Sequence, residues 1–172
     1  MPALSPISSG SPPPFAAEAR QSGYRCPVRR VEQTVEIPAP AEEVFAVASK
    51  LEELPRWQSG IVSVARTDTG PVAVGAKGTL VRELMGQRIE APLEVTAYDP
   101  PRLLGLHSEV SGVALDATIE VSPLGPKSSR VNLVAEISGS MLTSFMEPMI
   151  ASGAEGDMAA SLERLRGLFA DR

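Results

Sequence analysis

Residues 113–121 read VALDATIEV, in which apolar side chains at every second position alternate with mostly polar ones. A period of two residues is the pattern of a β-strand that buries one face and exposes the other. Similar stretches recur along the chain, and turn residues separate them at the intervals of an antiparallel sheet. The predicted strands cover residues 31–37, 61–66, 78–85, 88–98, 103–110, 112–122 and 130–138.

Two short helices are predicted between the first and second strands. Residues 41–50 combine good helix formers with acidic side chains in the first turn, which the helix dipole favours. Residues 51–54 form a second helical piece that we expect to stop near Pro55, with Trp57 in the turn that follows.

The last long segment, residues 141–169, has apolar side chains at spacings of three and four, which predicts a helix with one buried stripe. Pro148, Gly153 and Gly156 are expected to kink or loosen its first half. The order strand, two helices, six strands and a long helix predicts an α+β helix-grip fold, in which a curved antiparallel sheet wraps around the C-terminal helix.

Composition divides the chain of 172 residues into a leader and one domain. Residues 1–29 are rich in Pro, Ser, Gly and Ala and cannot bury enough apolar area to fold, so we expect a disordered leader followed by a domain at 30–172. Residues 1–30 carry four arginines and one glutamate, whereas residues 31–172 carry 12 basic and 20 acidic side chains. An acidic body lacks the clustered cations that bind a phosphate backbone, so nucleic acid is not an expected partner.

Cys26 is the only cysteine and His107 the only histidine. Together they cannot form an intramolecular disulfide or a four-ligand zinc site, and we expect no metal and no cofactor. The sequence has neither an apolar run long enough to span a membrane nor a secretory signal, which predicts a cytoplasmic location. Self-association into a weak dimer is left open.

Four short motifs carry a resemblance to a known superfamily. They are IPAPAEEVF at 37–45, LEELPRW at 51–57, VGAK at 74–77 and YDPPRL at 98–103. In this order and at these spacings, over about residues 31–170, the chain resembles the START-like or SRPBCC superfamily, and within it the polyketide cyclase/dehydrase and lipid-transport type of small domain. The superfamily uses one fold for many activities, so the resemblance does not by itself give the function.

The resemblance implies a cavity between the sheet and the terminal helix that binds a hydrophobic small molecule such as a lipid, isoprenoid, polyketide or aromatic metabolite. Few aromatic rings are available to fill that space. The candidate ligand contacts, each of which could equally be core, are Trp57, Leu93, Val95, Leu104, Leu106, Leu115, Ile119, Leu133, Phe145, Met146 and Met149.

Two other functions are left open. The first is a cyclase or dehydratase without metal or cofactor, in which His107 beside Glu109, or an inward-facing Arg82 or Glu83, would transfer protons. Because Arg82 and Glu83 are adjacent in a strand, only one of them can face inward. The second is a protein-interaction module of the co-chaperone or ribosome-associated type, which would expose an apolar patch on its helix.

Overall fold

The computed structural model describes residues 28–84, 86–139 and 147–170, with the side chains of the last segment from residue 152 onward. The strands are β1 (Val28–Ile37), β2 (Ile61–Arg66), β3 (Lys77–Leu84), β4 (Gln87–Asp99), β5 (Leu103–Val110), β6 (Val113–Gly125) and β7 (Ser128–Gly139). The helices are α1 (Ala41–Ala48), α2 (Leu54–Trp57) and α3 (Glu147–Gly167), and a 3₁₀ turn at Leu51–Glu53 precedes α2. This order confirms the predicted helix-grip fold.

The strands form one antiparallel sheet in the order β1-β7-β6-β5-β4-β3-β2. The chain therefore starts at one edge, crosses through α1 and α2 to the other edge, and then returns strand by strand until β7 pairs with β1. The β5–β6 connection is a tight hairpin turn in which Ser111 and Gly112 both have positive φ, as type I′ hairpin turns require.

One face of this sheet supplies the core. Leu133 of β7 pairs with Ile119 of β6, and Ile119 pairs in turn with Leu104 of β5. All three side chains are buried. Since side chains alternate between faces, this row assigns the odd residues of β6 and β7 and the even residues of β5 to the inner face.

The terminal helix covers that face. Met158, Leu162 and Leu165 form its buried stripe, as the three- and four-residue spacing predicts, and Phe169 in the turn after the helix extends it. The helix is continuous through Gly153 and Gly156. The predicted segment 141–146 lies outside the described residues, as do residues 1–27 of the predicted leader.

Two boundaries differ from the expectation. The second helix does not stop near Pro55, and Trp57 lies in α2 instead of a turn. Pro55 stands in the first turn of α2, where its missing N–H has no intrahelical acceptor to lose. The first strand begins at Val28, earlier than predicted, because the pairing with β7 continues to Ser138.

Replacing Leu165 by Ala should lower the free energy of unfolding by about 2–5 kcal/mol, because the side chain is fully buried and its removal leaves a cavity. Urea denaturation followed by circular dichroism measures the change. The matched control is Arg164→Ala on the exposed side of the same turn, which should shift stability by less than about 0.5 kcal/mol. Equal effects of the two substitutions would contradict the packing described for α3.

Candidate binding site

A narrow pocket lies on the inner face of the sheet beside α2. We call it the interior pocket, and its volume is about 40 Å³. Its walls combine apolar side chains with a few polar groups and comprise Leu54, Gln58, Ile61, Leu80, Arg82, Leu93, Leu106, His107, Ser108, Leu115 and Ala117.

Arg82 is the cationic group of this pocket. It pairs with Ile61 of β2 and Ile89 of β4, and alternation along β3 sends its side chain to the inner face with buried Leu80. Glu83 therefore faces outward, which answers the question that the sequence left open. The guanidinium Nη2 lies 3.5 Å from Asp157 Oδ2 on α3, with 31% and 43% of the two side chains exposed.

Polar contacts hold α3 against this edge of the sheet. The backbone N–H of Ser59 donates to Ser161 Oγ at 2.8 Å, and Ser161 Oγ donates to the Asp157 carbonyl at 2.6 Å. Ser59 Oγ also lies 3.5 Å from the Asp157 carboxylate. Asp157 thus connects the loop before β2, the helix and Arg82, and it fixes the guanidinium at the rim of the interior pocket.

A second and larger pocket lies where β4 and β5 separate. Their pairing runs from Asp99 and Leu103 to Glu94 and His107 and goes no further. We call the gap between residues 87–93 of β4 and residues 108–110 of β5 the seam. The pocket there, the seam pocket, has a volume of about 320 Å³ and is lined by Thr67, Lys77, Gly78, Pro92, Leu93, Glu94, His107, Ser108 and Glu109.

The imidazole of His107 lies on the outer face of the sheet, about one-third exposed. Its Nδ1 donates to Asp116 Oδ1 at 2.7 Å. The expected partner, Glu109, is not the one it contacts. Asp116 is the residue opposite His107 on β6, and directly opposed Cβ atoms are about 5 Å apart, whereas residues two apart on one strand are separated by about 6.6 Å.

The predicted ligand contacts divide into three groups. Leu93, Leu106 and Leu115 line the interior pocket. Trp57, Val95, Leu104, Ile119 and Leu133 are buried in the core and do not line either pocket of the described chain. Phe145 and Met146 lie outside the described residues, and Met149 lies in α3 with its side chain outside them.

Sequence reasoning missed several wall residues, including Leu54, Gln58, Ile61 and Leu80. Leu80 could have been found, because it alternates in phase with Arg82 along β3. Gln58 could not, because it follows α2 and no periodic pattern reaches it.

Trp57 is fully buried, and within the described part of the chain its indole Nε1 has no hydrogen-bond partner. The ring thus contributes mainly apolar burial at the contact of α2 with the core.

The rim of the seam pocket carries a carboxylate that organises the β2–β3 connection. Asp68 accepts a hydrogen bond from the backbone N–H of Lys77 at 3.0 Å and pairs with the guanidinium of Arg66. The hydrogen bond from Lys77, with a further contribution from Arg66, lowers the pKa of Asp68 below its ordinary value of 3.8.

Within the described residues, no group of three or more His, Cys, Asp or Glu side chains is placed to hold a metal ion. No helix among them is both long and apolar enough to cross a membrane.

The curved sheet and the terminal helix that it wraps have the architecture of a START-like ligand-binding domain, although no described residue of α3 lines either of the two pockets. The chain belongs to the polyketide cyclase/dehydrase and lipid transport family, whose model matches residues 28–170.

Solved structures give the same fold. A START superfamily protein from Mycobacterium smegmatis matches with a TM-score of 0.70 and 18% identity, over 83% of this chain and 97% of that one. The Zhui aromatase/cyclase from a Streptomyces species matches with a TM-score of 0.69 and 17% identity, over 81% and 92%. Norcoclaurine synthase from Thalictrum flavum matches with a TM-score of 0.67 and 18% identity, over 88% and 99%. A search of curated proteins finds no match.

Replacing Asp68 by Asn should lower the melting temperature at pH 7, and the difference from the parent should shrink as the pH falls below 3.8. A carboxylate whose pKa is depressed in the folded state stabilises the fold above its unfolded pKa, and this contribution disappears as the pH falls through the folded pKa. Thermal unfolding at pH 7 and at a series of lower pH values measures the difference between variant and parent. The control is Glu90→Gln, an exposed carboxylate of β4, and an equal pH dependence of both variants would refute the role of Asp68.

Proposed function

We propose that the domain binds a hydrophobic small molecule that carries one anionic or carbonyl group. The observation that carries this proposal is the inward-facing guanidinium of Arg82, which stands among Leu80, Leu106 and other apolar side chains of the interior pocket. Apolar walls with a small number of placed polar groups are the usual composition of a small-molecule site. A guanidinium in such walls favours a ligand oxygen that accepts its hydrogen bonds.

The two pockets together can hold a larger ligand than the interior pocket could hold alone. A volume of about 40 Å³ is close to the space of one water molecule, about 30 Å³, and it therefore receives only the polar end of the ligand. The seam pocket, at about 320 Å³, is within the range of small-molecule sites, about 300–1,000 Å³. Because both pockets are lined by Leu93 and Ser108, an apolar body in the seam pocket can place its head group near Arg82.

The proposal is tested with 8-anilinonaphthalene-1-sulfonate, an aromatic probe with one sulfonate. Binding should quench Trp57, the only indole, by energy transfer. Arg82→Gln should weaken the affinity for this probe by about 10-fold or more, the loss expected for a hydrogen bond to a charged group. The uncharged N-phenyl-1-naphthylamine should lose much less.

The matched control is Arg88→Gln, since Arg88 is an exposed arginine on the outer face of the same hairpin. It should leave the affinity for both probes unchanged. If neither probe binds the parent protein, or if Arg82→Gln and Arg88→Gln weaken sulfonate binding equally, the proposed function is wrong. Native mass spectrometry of protein purified from its own source would add the identity of the ligand.

A second candidate function is a cyclase or dehydratase that acts on a polyketide-like substrate in the seam pocket. It is favoured by the hydrogen bond between His107 and Asp116, because a carboxylate at Nδ1 fixes the tautomer that leaves Nε2 as a base. The Zhui aromatase/cyclase and norcoclaurine synthase, which share this fold, are named as enzymes.

Replacing His107 by Ala separates the two functions. In the enzyme, the variant should lose the cyclised product formed from a linear poly-β-ketone, followed by absorbance and mass spectrometry. His107 lines both pockets, so its loss should change the affinities for the sulfonate probe and the uncharged probe alike. The ratio of the two affinities should stay within about 2-fold, because the imidazole is on the face opposite Arg82. A parent protein that forms no product supports a carrier.

Nothing in the described chain favours the interaction module. The large exposed apolar side chains of the described residues are scattered over strands and loops, and none belongs to the part of α3 from residue 152 onward: they are Val28, Val62, Val74, Leu84 and Leu124. Singly exposed residues of this kind are ordinary on protein surfaces.

A further inference from the structure

The sheet contains an internal opening at the seam. The β4–β5 ladder ends at the pair Glu94 and His107, although both strands continue. Beyond that pair β4 stays bonded to β3 as far as Gln87, and β5 stays bonded to β6 as far as Val110. Both strands are central in the sheet order, so an interruption between them divides a surface that is otherwise continuous.

Pro92 explains why the ladder stops there. The N–H of Val95 donates to the Ala76 carbonyl at 2.9 Å, and the Val95 carbonyl accepts from the Gly75 N–H at 2.8 Å. The backbone groups of Val95 therefore face the β3 side. Since these directions alternate along a strand, the nitrogen of Pro92 faces β5, where a ladder needs a donor. Proline has no N–H, so the next bond of the β4–β5 ladder cannot form.

Residues of both faces of the sheet line the seam pocket. Lys77 and Glu109 on its wall belong to the outer face, whereas Gly78 and Ser108 belong to the inner face. Leu93, His107 and Ser108 line both this pocket and the interior pocket. The two spaces are therefore neighbours across the opening.

We infer that the seam is the passage by which a ligand enters and leaves the interior pocket through the sheet. This inference rests on the proposed function for the existence of a ligand. A small side chain stands where the two pockets meet, because Ser108 lines both of them.

The passage can be tested without a ligand, by labelling a thiol placed inside it. Leu106→Cys puts a cysteine on the interior wall at a buried position, and Cys26→Ser removes the natural one. The uncharged reagent 4,4′-dithiodipyridine reports the reaction by absorbance. In the folded protein this thiol should react faster than global unfolding allows.

Two independent changes narrow the seam. Ser108→Trp fills it with a large ring, and Pro92→Val restores the N–H that the ladder lacks. Each should slow labelling by about 10-fold or more, because only local unfolding would then expose the thiol. Destabilisation by the larger ring would raise the labelling rate, but the ring also lies on the same face as the thiol and can shield it directly. Pro92→Val adds no bulk on that face, so slower labelling in this variant has no such cause. Should Ser108→Trp fail to fold, Pro92→Val decides the matter.

The control is Leu84→Trp, which adds the same ring at an exposed position of the β3–β4 hairpin, away from the seam. It should leave the labelling rate within about 2-fold. The inference of a passage is wrong if the thiol of the folded parent is not labelled. It is also wrong if neither seam variant changes the labelling rate, or if only Leu84→Trp slows labelling. If the proposed function is wrong and the passage exists, the parent protein will bind neither probe, while the introduced thiol will still be labelled at the expected rate.

Discussion

The structure depends on the burial of one helical stripe against one end of the sheet. Leu162 and Leu165 in the C-terminal part of α3, and Phe169 in the turn that follows it, are each at most 2% exposed. Burying side chains of this size stabilises a fold by about 1.5–3 kcal/mol each. The anchored end of the helix determines where the rest of it runs, and Asp157 is thereby brought to the rim of the interior pocket beside Arg82.

Strand register then decides which polar groups enter the site. Arg82 faces inward and Glu83 outward because β3 pairs with β2 and β4 in one register, and a shift of one residue would exchange them. The same rule directs His107 outward while Leu106 faces the interior. The side chains of Arg82 and His107 thus point to opposite faces of one sheet, although both residues line the interior pocket.

The sequence was sufficient for the fold because period-two alternation and the apolar spacing of α3 are local properties. It was not sufficient for the partner of His107, since Asp116 becomes its neighbour only through the pairing of β5 with β6. The walls of the pockets were predicted in part for a related reason. Burial of Leu104 and Ile119 follows from their pattern, but whether a buried residue meets a void or another side chain depends on packing in three dimensions.

Pro92 shows how one residue can open an otherwise continuous sheet at a defined place. A proline inside a central strand removes a ladder bond and is normally confined to edges and bulges. Here the cost is limited, because β4 keeps its pairing with β3 along this stretch and only the side toward β5 is left open. Pro92 is exposed because it lies on the outer face, whereas Leu93, the next residue, is buried on the inner face. At the passage that we infer, a ligand would cross the sheet where one ladder bond is already missing, so no bond between β4 and β5 would have to break there.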